Sequence, residues 1–87
     1  MVSPTWSRLR FFTTKRISVR LVLRWRTADQ RGVAKFNLYA GGHRLNGVEI
    51  AVRPSHSSRI TTHPQAGPYV LSILLLTGRH VDVRLNG

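Results

Sequence analysis

Residues 17–26 carry the pattern that most limits what this chain can fold into: Ile17, Val19, Leu21, Leu23 and Trp25 alternate with Ser18, Arg20, Val22, Arg24 and Arg26. A period of two is the signature of a β-strand with one face buried and the other in solvent. Such a strand needs partners at its edges and a lid over its apolar face. The rest of the chain therefore has to supply further strands. After a polar turn at 27–32 that contains Asp29 and ends in Gly32, residues Ala34, Phe36 and Leu38 alternate with Lys35, Asn37 and Tyr39. This predicts a second strand, antiparallel to the first. Gly41 and Gly42 break it. Strands are expected near 43–45 and 48–53, joined by Asn46-Gly47, a dipeptide suited to a two-residue type I′ turn.

Residues 69–76 are apolar on both faces apart from Ser72, as in a central strand covered on each side. Val81, Val83 and Leu85 then alternate with Asp82 and Arg84 in a last strand. The segment between, 54–68, reads PSHSSRITTHPQAGP and is expected to be a long loop. At the other end, residues 1–16 form a basic arm. Val2, Trp6, Leu9 and Phe12 recur there at helical spacing behind Ser3-Pro4, so a short helix is expected near 4–12. The organisation expected is thus an arm at 1–16 and one small β-rich domain at 17–87. Its fold class is mostly β: a small antiparallel sheet or barrel-like domain of five to six short strands.

Charge constrains the partner. The 87 residues include 14 Lys and Arg against 3 Asp and Glu, for a formal net charge of +11. A chain this short has a thin core with which to oppose self-repulsion, so an anionic partner is expected. Arginine supplies twelve of the fourteen cations, and its planar guanidinium can grip phosphate through two parallel hydrogen bonds. On the expected strand 17–26, Arg20, Arg24 and Arg26 share the solvent face. Arg24 and Arg26 are about 7 Å apart along a strand. Lys35 is expected to widen the patch from a neighbouring strand, and Arg8, Arg10, Lys15, Arg16 and Arg31 to extend it through the arm and the first turn. Trp6, Phe11 and Phe12 lie among these cations as candidate stacking platforms for unpaired bases, while Trp25 belongs with the core.

Other chemistry has little support. There is no cysteine, which excludes disulfides and thiolate metal sites. His43, His56, His63 and His80 lack paired ligand spacing, and Asp29, Glu49 and Asp82 are too dispersed for a carboxylate pair. No Gly-rich phosphate loop is present. No catalytic residue, metal, cofactor or small-molecule substrate is expected, and no apolar run is long enough to form a transmembrane helix. The function expected is that of a structural RNA-binding subunit of a large ribonucleoprotein, in contact with rRNA and neighbouring proteins. A mitochondrial ribosome suits the acid-free Arg, Ser and Thr content of the arm; a cytoplasmic ribonucleoprotein is the other location. The alternative is a non-catalytic accessory subunit of a protein assembly, such as a respiratory complex or a viral particle, held by strand pairing along the 69–76 segment.

Overall fold

The computed structural model describes residues 8–64 and 67–85. Among them there is no helix, and eight strands are formed: β1 (Leu9–Ile17), β2 (Arg20–Thr27), β3 (Val33–Ala40), β4 (His43–Arg44), β5 (Ile50–Ala51), β6 (Ser57–Thr62), β7 (Tyr69–Leu75) and β8 (His80–Leu85). They make two small antiparallel sheets. One has the order β1-β2-β6. The other has the order β4-β3-β7-β8, with β5 also on β3. The mostly β reading therefore holds, as two separate sheets and not a closed barrel.

The sheets share one core. Phe12, Leu21, Leu23 and Trp25 of the first sheet pack with Phe36, Leu38, Ala40, Tyr69, Leu71, Ile73 and Val83 of the second. Leu23, Leu38, Leu71 and Ile73 are fully buried, each contributing about 1.5–3 kcal/mol by leaving water. Trp25 meets Phe36 across the interface with ring centroids 5.6 Å apart and planes inclined by 59°, a tilted arrangement that aromatic pairs favour.

The structure corrects several expectations about where strands begin and what they pair with. Residues 9–12 of the expected helix are in β1, which pairs with β2 from Phe11↔Arg26 through Ile17↔Arg20; residues 4–7 lie outside the described residues. The apolar spacing of Leu9 and Phe12 serves a strand because a bulge between Leu9 and Phe11 offsets the alternation by one residue. The strand expected at 17–26 is divided by a tight turn at Ser18-Val19. Ser18 takes a left-handed φ of 57° there, and Ile17 and Val19 are 52% and 69% exposed instead of buried.

β2 and β3 are not paired with each other. Both carry strongly apolar faces, and side by side in one sheet they would leave those faces on the same side with nothing above them. Stacked in different sheets they cover each other. At the end of β2 the backbone N–H of buried Thr27 donates to the His56 carbonyl at 2.9 Å, which extends the β2–β6 pairing one residue beyond Arg26↔Ser57.

The two-residue hairpin turn falls at Gly41-Gly42, both at positive φ (56° and 86°), between Ala40 and His43. Asn46-Gly47 is not a hairpin turn. β4 and β5 lie on the same edge of β3, and the Asn46 side chain fills the gap between them. Its Oδ1 accepts from the Leu38 N–H at 2.8 Å, and its Nδ2 donates to Asn37 Oδ1 at 2.8 Å and to the Val48 carbonyl at 3.0 Å. The segment expected as a loop at 54–68 contains β6, which pairs with β2 from Arg26↔Ser57 to Leu21↔Thr62. β7 is central in its sheet as expected, but its Val70, Ser72 and Leu74 side is only half-buried.

Candidate nucleic-acid interface

The outer face of the β1-β2-β6 sheet is assembled by register. Phe11, Arg26 and Ser57 form one row across the three strands, Thr13, Arg24 and Arg59 the next, and Lys15, Val22 and Thr61 the third. Ile17 and Arg20 close the hairpin end. Lys15, Arg20, Arg24, Arg26 and Arg59 are all exposed on it. Val22 is buried although it faces outward, in the row between those of Arg24 and Arg20. The guanidinium carbon of Arg24 lies 5.8 Å from the centroid of the Phe11 ring.

Arg24 and Arg59 stand directly opposite each other on adjacent strands. Like charges in that position repel. No acidic side chain intervenes, because all three are engaged elsewhere: Asp29 with Arg31 at 2.9 Å, Glu49 with Lys35 at 3.1 Å, and Asp82 with His80 at 3.1 Å. The Arg31 guanidinium and backbone N–H hold the Asp29 carboxyl below its ordinary range, and Lys35 does the same for Glu49. Both stay ionised at neutral pH and neutralise their own partners, so the cations of the β1-β2-β6 face keep an uncompensated field.

Beside the Arg24–Arg59 row is an open depression of about 680 Å³, bounded by Lys15, Arg24, Arg53 and Arg59 and by Ser55, Ser57 and Ser58. Its rim is held in place by local hydrogen bonds. The Arg53 carbonyl accepts from Gln30 Nε2 at 2.7 Å and from the His56 N–H at 3.0 Å, and the Ser55 hydroxyl donates to the Ser57 carbonyl at 3.2 Å. His56 completes the bend at a left-handed φ of 63°.

Of the nine cations singled out from sequence, Lys15, Arg20, Arg24 and Arg26 are brought together here. Arg16 pairs with Leu21, which puts it on the other side of the β1–β2 ribbon, and Arg10 falls in the bulge near Val83, Arg84 and Leu85. Arg8 donates to the Arg31 carbonyl and Arg31 is bound to Asp29, so these two belong to the β2–β3 connection. Lys35 does not widen the patch: it lies on the outer face of the other sheet, against Glu49. Sequence reasoning missed Arg53 and Arg59. The signal for Arg59 was present in the alternation of Ser58, Ile60 and Thr62 with Arg59 and Thr61, hidden by the prolines on either side.

Trp25, at 1% exposure, is core as expected; of the expected platforms, Phe12 is buried in the core instead, Phe11 reaches the basic face, and Trp6 lies outside the described residues. Asp29 caps its turn, its Oδ1 accepting from the Arg31 N–H at 2.8 Å. Among the described residues no group of three His, Cys, Asp or Glu side chains could hold a metal ion, and no helix is long and apolar enough to cross a membrane. No protein-family profile, curated protein or solved structure matches the chain.

Proposed function

We propose that the chain is a structural, non-catalytic RNA-binding subunit of a large ribonucleoprotein, with a mitochondrial ribosome the setting that best suits its composition. The observation that carries this reading is the acid-free basic face of the β1-β2-β6 sheet, in which Arg24 and Arg59 oppose each other with no carboxylate between them. A cross-strand pair of arginines is a cost to the free protein and a gain once a phosphate bridges them. Lys15, Arg20, Arg24, Arg26 and Arg59 neutralise backbone phosphates and release their counterions; Arg8, Arg10, Arg16 and Arg31 lie off this face and add to the long-range attraction alone. Contacts of this kind position a protein on RNA without reading its bases.

The test is sedimentation of the tagged native protein with and without RNase. Co-migration with ribosomal or other ribonucleoprotein particles that RNase abolishes supports this function. Persistence in a protein complex after RNase refutes it, and would move attention to the half-buried Val70, Ser72 and Leu74 face as a protein contact.

A further inference from the structure

The geometry points to unpaired RNA as the ligand of the basic face, with phosphates seated in the depression between β2 and β6 and a base stacked at Phe11 and Arg24. This inference rests on the RNA-binding reading above and specifies the form of RNA bound. Three features carry it. The first is width: three strands span about 10 Å between the outer two, which is enough for one backbone but not for the two phosphate ridges of a duplex groove. The cations form one cluster along β2 and β6, not two separated ones. The second is spacing. Arg24 and Arg26 are about 7 Å apart, comparable with the step between phosphates of an extended strand, and Arg59 sits opposite the first of them.

The third is the ring. Phe11 is half-buried on the same face, and the Arg24 guanidinium already lies 5.8 Å from its centroid. A guanidinium plane over an aromatic ring is the kind of surface on which an exposed base stacks, and a base held inside a helix cannot reach it. The depression supplies what the phosphate needs. Arg53 and Arg59 bring charge, and Ser55 and Ser57 bring hydroxyls on a bend already fixed by Gln30 and His56. The backbone of this bend needs little ordering on binding.

The experiment compares three labelled probes by fluorescence anisotropy on the full chain across a series of salt concentrations: a ten-nucleotide oligouridine, an abasic strand with the same number of phosphates, and a blunt RNA hairpin closed by a polyethylene glycol linker in place of loop nucleotides. The oligouridine is expected to bind about tenfold more tightly than the abasic strand, the effect of one good base–aromatic stack. Phe11→Leu should bring it down to the abasic level and leave the hairpin within twofold. Arg59→Gln, at an exposed position that does not threaten the fold, should lower the salt slope for the oligouridine by about 0.7. Equal affinity for oligouridine and abasic strand, or an unchanged slope in Arg59→Gln, overturns the unpaired-RNA site. If the hairpin still binds in that case, the RNA-binding reading survives; if none of the probes binds, both fall.

Discussion

Replacing Arg59 by glutamate should make the free protein more stable and a worse RNA binder. Arg59 and Arg24 face each other across β2 and β6. At about 6 Å in water two like charges cost about 0.7 kcal/mol before screening, and opposite charges gain as much. Cross-strand pairs measured in sheets fall in the same range, about 0.2–1 kcal/mol. Arg59→Glu turns repulsion into attraction, so the expected gain at low salt is about 1 kcal/mol. In a domain of this size that corresponds to a rise in Tm of about 4–8 °C. Thermal unfolding followed by circular dichroism at about 20 mM salt and at about 1 M salt reads the effect, and the rise should largely vanish at the higher concentration, where screening acts over about 3 Å. In parallel, RNA affinity should fall, because one phosphate contact is lost and a carboxylate is put in its place. A Tm that is unchanged or lower at low salt would show that Arg24 and Arg59 are not in the apposition described. A stabilised variant that binds RNA as well as the parent would show that their repulsion has nothing to do with RNA.

Asn46→Leu should cost about 2–3 kcal/mol, seen in the urea midpoint, because it leaves the Leu38 N–H and Asn37 Oδ1 without their buried partner. Trp25→Phe should cost under about 1.5 kcal/mol although Trp25 is core, since the indole Nε1 is buried without an acceptor and its removal offsets part of the lost packing; Trp25→Ala, by contrast, should cost about 3–5 kcal/mol in the same assay. Ser18→Gly should stabilise the β1–β2 hairpin by up to about 1 kcal/mol, as glycine adopts the φ of 57° without strain. Acid should also destabilise the fold in a defined window. The Asp29 and Glu49 carboxyls are depressed by Arg31 and Lys35, so their contribution is complete above the ordinary values of 3.8 and 4.5 and is lost as the pH falls through the lower folded values. Urea titrations at pH 6 and pH 3 should differ less in the Asp29→Asn/Glu49→Gln double variant than in the parent; an equal difference would contradict this assignment.

Alternation was the legible part of the fold. It placed Leu21, Leu23 and Trp25 inside and Arg20, Arg24 and Arg26 outside, and it found β3, β7 and β8 with nearly the right ends. What alternation lacks is pairing. β2 and β3 read equally well as a hairpin or as strands of two stacked sheets, and the choice was decided by the need of two apolar faces for each other. Turn chemistry was ambiguous for a similar reason. Both Gly41-Gly42 and Asn46-Gly47 suit a tight turn, and only the buried hydrogen bonds of the Asn46 side chain to β3 show why the second is not one. In the candidate site, the β2 arginines were visible from their period of two. Arg59 was not, because its strand is polar and bounded by prolines, and Lys35 was misplaced because β3 was read as the neighbour of β2, whereas it lies in the other sheet, where Lys35 meets Glu49.

The salt dependence of RNA binding to the parent protein and to the Arg20→Ala/Arg24→Ala/Arg26→Ala variant is the most direct test of the basic face. Six cations, Arg53 included, acting on single-stranded phosphates should give a slope of log K against log salt of about −4.2, and removal of three should reduce it to about −2.1. A slope that the triple substitution leaves unchanged would contradict the assignment of the β1-β2-β6 face as the RNA-binding surface.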